Sequence, residues 1–157
     1  MNVQTRLMAL FIPLIPSLIG FPAFASESAD YARMGRETWA AFECTVLAGE
    51  AEMVHEQMSI FNYGYERGGE FFAADQSGKI SGEDHSREVP LVVTLLSQGP
   101  NVDFMLGRIY EQARRTVLED VLVRGDKDSK VAARERYERN DCGSFVRELH
   151  HHGGPSE

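Results

Sequence analysis

Residues 99–123 read GPNVDFMLGRIYEQARRTVLEDVLV. Apolar side chains recur at Val102, Met105, Leu106, Ile109, Tyr110, Ala113, Val117, Leu118, Val121 and Leu122. Spacings of three and four belong to an α-helix, and this stripe is wide enough to meet neighbours on two sides. The pattern predicts a long, central, buried helix with the rest of the chain packed around it. Gly99-Pro100 gives a sharp start, with Asn101 as a candidate N-cap or Pro100 at the first helical position, and Asp103 complements the positive end of the helix dipole. Gly125 is placed to end the helix.

Downstream, Asp126 or Asp128 can cap a last helix over about Ser129–Arg139, with a thinner apolar face of Val131, Ala132, Ala133 and Tyr137. Cys142-Gly143 should end it, with Phe145 and Val146 still able to dock. From His150 onward the chain reads as a loose tail.

Upstream, Pro90 to Gly99, PLVVTLLSQG, is apolar and too short for periodicity to type. Val92-Val93-Thr94 leans towards a strand, but no second strand is available to pair with it, so a short buried helix is expected. Residues 75–89, DQSGKISGEDHSREV, are polar and aperiodic and read as the longest exposed loop. A second helix precedes them, with an inward stripe of Ala51, Val54, Met58, Phe61, Tyr65, Gly68 and Phe72 and an acidic face of Glu50, Glu52, Glu56, Glu66 and Glu70. Gly64, Gly68 and Gly69 would each cost about 1 kcal/mol in a helix interior. Something must offset them: close approach of another backbone is expected, with a helix end at Gly64 as the alternative. A first helix, about Ala29–Ala48, carries Tyr31, Met34, Thr38, Phe42 and Val46 on one stripe with Trp39 beside it as a core anchor, and Gly49 marks the break after it.

The first 25 residues differ in kind. One cation, Arg6, precedes the apolar run Leu7–Ile19, and Ala23-Phe24-Ala25 offers a small-x-small site, the order of a secretory signal cleaved after Ala25. A retained membrane anchor is the competing reading, but Pro13, Pro16 and Pro22 interrupt the span and no basic cluster follows it. Cleavage leaves 132 residues, enough for one domain. The expected organisation is a signal peptide over 1–25, a single all-α domain of four to five helices over 26–149, and a flexible tail over 150–157.

The whole chain has a formal charge of −8. The imbalance lies in the first half, with 5 basic and 13 acidic residues over Ser26–Pro100 against 10 and 11 over Asn101–Glu157. An acidic exported chain is a poor ligand for nucleic acid. Two cysteines, Cys44 and Cys142, are expected to pair in an oxidising compartment, closing the bundle. They lie 98 positions apart, so the chain-entropy argument puts the bond at about 4 to 5 kcal/mol as an upper figure.

Motifs for chemistry are sparse. Residues 73–84, AADQSGKISGED, put Asp75, Ser77, Ser81 and Asp84 at calcium-loop positions when Gly78 is the sixth residue. Ala73 stands where the anchoring carboxylate belongs, so a turn is the plainer reading. His150–His152 sit on the tail, and His55 lacks a second histidine four residues on. No nucleophile occupies a hydrolase elbow, and no cofactor is implied. The expectation is a protein in the bacterial-type envelope that binds another macromolecule: an inhibitor, immunity protein, chaperone or assembly factor. Its contact surface would be the acidic face of the second helix with the following loop: Glu52, Glu56, Glu66, Glu70, Glu83, Asp84 and His85. The alternatives are a small-molecule or ion sensor with a closed pocket, and an enzyme using His55 or His85 with nearby carboxylates. Oligomeric state is left open.

Overall fold

The computed structural model describes residues 24–123 and 128–152. Every regular element in them is helical: α1 Phe24–Glu50, α2 Val54–Gln76, α3 Gly82–Glu88, α4 Leu91–Leu96, α5 Val102–Val123, α6 Ser129–Arg139 and α7 Gly143–His152. The expected leader lies outside the described residues apart from Phe24 and Ala25, which open α1, and so does Gly125.

The hub is α1, not α5. It touches α2, α3, α4, α5 and α6, and from Ala41 to Ala48 every residue except the half-buried Glu43 is buried. The physical reason is side-chain size. Gly35, Thr38, Ala41, Thr45 and Ala48 let neighbours approach on several sides, whereas α5 buries Met105, Leu106, Ile109, Ala113, Val117 and Val121 and exposes Phe104, Gly107, Arg114 and Arg115. The α5 stripe read from the sequence is there, but it covers one side.

The α1–α2 seam is where the glycines act. A Cβ on Gly64 would sit 2.9 Å from the Ala41 Cβ, and one on Gly68 would sit 2.3 Å from a Leu106 methyl and 3.1 Å from the Thr38 methyl. Helix α2 therefore runs straight through both, as close packing requires. Gly69 does not share this role, since nothing lies within 4 Å of its missing Cβ. The same seam turns α2 relative to the expected stripe. Its inner face is Ile60, Tyr63, Gly64, Gly68, Phe71 and Phe72, while Val54, Met58 and Tyr65 are exposed.

The break after α1 falls at Ala51–Met53, beyond Gly49. Glu52 adopts φ 59°, its N–H reaches the Gly49 carbonyl (3.0 Å), and the Met53 N–H reaches that of Ala48 (2.8 Å). This is a Schellman closure with glutamate where glycine is usual. Gly78, φ 69°, closes α2 in the same way.

Among the described residues seven helices replace the four to five expected, because two segments read as irregular are helical. Residues 75–89 are mostly not an exposed loop: α2 continues to Gln76, and Ser81 caps α3 by accepting the Asp84 N–H at 3.1 Å. Past Cys142 the chain turns again into α7, whose Phe145 ring lies 5.1 Å from that of Tyr63. The backbone of His150–His152 belongs to α7, so the tail expected from residue 150 is helical as far as 152, and 153–157 lie outside the described residues. Asn101 and Asp128 cap α5 and α6 as expected, accepting from Phe104 N (2.8 Å) and Lys130 N (3.0 Å).

Two apolar clusters share α1. One surrounds the Cys44–Cys142 disulfide (Cα–Cα 5.5 Å) and takes in Leu47, Ile60, Val117, Ala133 and Tyr137. The other gathers Phe42, Phe71, Phe72, Val93, Leu106 and Ile109. The bond thus joins the α1 core to the chain just beyond α6.

Candidate functional site

The exposed apolar row of α2, Val54, Met58 and Tyr65, arises directly from the seam. Once Gly64 and Gly68 fix the inner face, residues 54, 58 and 65 lie away from it. Val54 is 67% exposed, Met58 58% and Tyr65 41%. Single apolar side chains in water are ordinary, but several along one row of a helix are a candidate contact surface. Tyr65 stacks on Phe61 (6.2 Å between centroids) and donates to the Asp103 carboxylate at 2.6 Å, which raises the pKa of its own hydroxyl. That bond ties the end of the row to the start of α5.

On the other side of α5 lies α4. Only Val93 of α4 is buried; Leu91 is 72% and Leu95 65% exposed, so the short helix expected to be buried is only half so. α4, five apolar residues and Thr94, meets α1 and α5 through the face that carries Val93 and leaves Leu91 and Leu95 in water. Between α4 and α5 runs a groove of about 430 Å³ lined by Leu96, Phe104, Arg108, Glu111 and Arg115 among others. Its charge runs against that of the whole chain. Arg108 stacks over Phe104 (5.8 Å) and hydrogen-bonds the Gln98 carbonyl at 2.7 Å. Arg114 and Arg115 both lean on the single carboxylate of Glu111, at 3.5 and 3.3 Å.

The residues expected to contact a partner are distributed as follows. Glu66 and Glu70 stand exposed on α2, Glu70 in an ion pair with Arg67 (3.0 Å). Glu56 is half-buried, and Glu52, exposed in its strained turn, pairs with Lys130. Glu83 is exposed beside Arg87. His85 is half-buried, its ring 6.3 Å from that of Phe71. Asp84 is buried. It accepts from Ser28 Oγ (2.6 Å) and Ser81 Oγ (2.8 Å) and pairs with Arg87. The serine hydroxyls, aided by the Arg87 guanidinium, hold its carboxyl below the usual range. Ser28 in turn accepts the Ser81 N–H at 2.8 Å, so the network clamps the start of α1 to α3.

The calcium-loop candidates are engaged in the fold. Asp75 lies in the last turn of α2, Ser77 Oγ donates to the Ala73 carbonyl (2.7 Å), and Ser81 and Asp84 belong to the clamp. Among the described residues, no three His, Cys, Asp or Glu side chains converge as metal ligands.

One perturbed group had no signal in the sequence. Burial pushes the Glu43 carboxyl up and Arg136 draws it back. Nearby, Arg136 pairs with Asp120 in a small groove completed by Arg139 and Asn140. A carboxylate between the buried Phe42 and Cys44 follows from helix phase, which a reading centred on α5 does not supply.

The chain matches no family model, no curated protein and no solved structure in comparison.

Proposed function

We propose that this protein is a recognition module that binds another macromolecule outside the cytoplasm, as an inhibitor, immunity protein or assembly factor does. The observation that carries the reading is the row Val54, Met58 and Tyr65, left in water on a helix whose inner face the glycine seam fixes. The row favours a partner whose contact patch is apolar. One further feature supports the setting: the disulfide is buried, with Cys142 fully covered, as expected where thiols oxidise. No helix among the described residues is long and apolar enough to cross a membrane.

The test is site-specific photo-crosslinking in envelope preparations. A crosslinker replacing Met58 should capture a defined protein that one replacing Arg36, on α1, does not. Equal capture from both positions, or none from residue 58, would refute the reading.

A further inference from the structure

The groove beside α4 and α5 holds two features that the packing of the chain does not account for. The first is Gly107, which lies within α5 and lines the groove. Glycine is the costliest residue after proline in a helix interior. At Gly64 and Gly68 close packing inside the chain offsets that cost, but nothing lies within 4 Å of the missing Cβ of Gly107. Open space alone is no signal, since Gly69 has it too. The second feature supplies one. Arg108 and Arg115 line the same groove. The contacts of Arg108 are neutral, the Phe104 ring and the Gln98 carbonyl, and Arg115 shares the Glu111 carboxylate with Arg114. Three guanidiniums therefore stand around one carboxylate, in a chain of net charge −8. The Phe104 ring is held in place by Arg108 and by Gly99, where a Cβ would sit 2.5 Å from it, and is still 49% exposed.

A ligand that complements this groove brings negative charge to Arg108 and Arg115 and an apolar group to Leu96 and Phe104. The two arginines are seven residues apart on one helix, about 10 Å along its axis, farther than the oxygens of one carboxylate or one phosphate reach. An extended peptide covers that distance with carboxylates three residues apart, at about 3.3 Å per residue. The groove, about 430 Å³, has room for an apolar side chain between them. We propose that it is a docking site for an extended acidic peptide segment, with an apolar side chain against Leu96 and Phe104, main chain over Gly107, and carboxylates on Arg108 and Arg115. An anionic bilayer is the poorer match, because surface-bound helices sink protruding apolar side chains into lipid, whereas Leu96 and Phe104 wall a concavity. The site is separate from the α2 row and does not rest on the recognition reading.

The test is selection from a phage-displayed library of random heptapeptides on the purified, disulfide-bonded chain, after depletion on the Arg108→Glu, Arg115→Glu variant, shown to be folded by circular dichroism. Enriched sequences should carry two or more Asp or Glu around an aromatic or branched apolar residue. A fluorescein-labelled peptide of that sequence should bind with a Kd of about 1 to 100 µM by anisotropy, and its Asn and Gln counterpart at least about tenfold more weakly. Gly107→Ala separates a ligand contact from a purely structural glycine. It should raise the melting temperature, as alanine does in a helix, and yet weaken peptide binding by about fivefold or more, the lower end of what an added methyl costs in a packed contact. Met58→Gln should leave the affinity unchanged, so this site and the α2 reading can fail separately. A library that enriches nothing or enriches basic sequences overturns the proposal, as does an amide peptide that binds equally well, a Gly107→Ala chain that binds undiminished, or a loss at Met58→Gln. Binding to phosphatidylglycerol vesicles that the arginine changes abolish, with no peptide enriched, would give the groove to lipid and overturn it as well.

Discussion

The two edges of α5 are built from similar apolar material and end differently. On the α2 side, Leu106 fits into the space left by Gly68, and Tyr110 meets Phe42 and Phe61 edge-on at 5.5 and 5.6 Å. On the α4 side, Leu91 and Leu95 stay in water and a groove opens beside Phe104. The difference lies in what the opposing element offers. α1 and α2 present glycine, alanine and threonine, so large side chains find space between backbones. α4 is six residues long and presents branched side chains with no gap to receive a partner. Apolar content alone therefore does not decide burial; the size of the facing residue does.

If that is right, the well-packed side should respond to substitution far more than the open one. The largest effect should come from the bond that pins the packed side. Replacing Cys44 and Cys142 together by serine should cost about 4 kcal/mol in urea unfolding, since the closed loop spans 98 positions. A cost below about 1 kcal/mol would mean that the core clusters hold this end without help. Next is the seam. Gly64→Leu forces a side chain against the Ala41 Cβ and the Phe42 ring and should cost about 3 kcal/mol. Gly69→Ala, five residues further along the same helix, meets open space and should stabilise by about 1 kcal/mol. Equal effects at the two glycines would refute the close-packing account.

The clamp between α1 and α3 gives the comparison a pH axis. Asp84 has its pKa lowered in the folded chain, so the unfolded chain binds its proton more readily. Its contribution is present above the ordinary carboxylate pKa and is lost as pH falls through the folded value. Ser28→Ala removes the foremost hydrogen bond and should cost about 1 to 2 kcal/mol at neutral pH, with the gap to wild type closing in acid. Glu43 has the opposite sign. Burial raises its pKa, so its penalty grows as pH rises through the unfolded value towards the folded one, and Glu43→Gln should stabilise the protein at neutral pH but not well below the glutamate range. Thermal melts of both variants across acid and neutral buffers check both signs.

What the sequence displays most plainly is local chemistry. Asn101 and Asp128 cap helices where their types suggest, α6 spans Ser129–Arg139, and the two cysteines meet. Less plain is which face of a helix turns inward when apolar residues lie nearly all round it. In α2, Val54, Met58, Ile60, Phe61, Tyr63 and Tyr65 fit several phases, and a stripe can be drawn through either set. The deciding residues are the smallest: a line through Ile60, Gly64, Gly68 and Phe71 follows the inner face. Ser81 and Asp84, three apart, likewise announce the cap of α3 inside a stretch whose polarity suggests a loop. The second partner of that cap, Ser28, lies 53 positions away from Ser81, and no local pattern reports it. In the α4–α5 groove, Arg108, Arg114 and Arg115 are legible in the sequence as cations on the exposed edge of the central helix, beside Glu111; the groove itself is not, because it forms only where Leu96 of α4 stands beside Phe104.

The smallest expected effect is the most diagnostic of the open edge. Leu95→Gln replaces a side chain that is already 65% exposed, so it removes little buried area and should change the unfolding free energy by no more than about 0.5 kcal/mol. Val93→Ala, two residues away in α4, deletes methyls from a fully buried position among Phe71, Met105 and Ile109 and should cost about 1 to 2 kcal/mol. The pair differ in side and not in segment, so local helix propensity cannot account for a contrast between them. A Leu95→Gln loss as large as that of Val93→Ala would mean that Leu95 is covered in solution, and that would place α4 deeper than its exposed leucines allow.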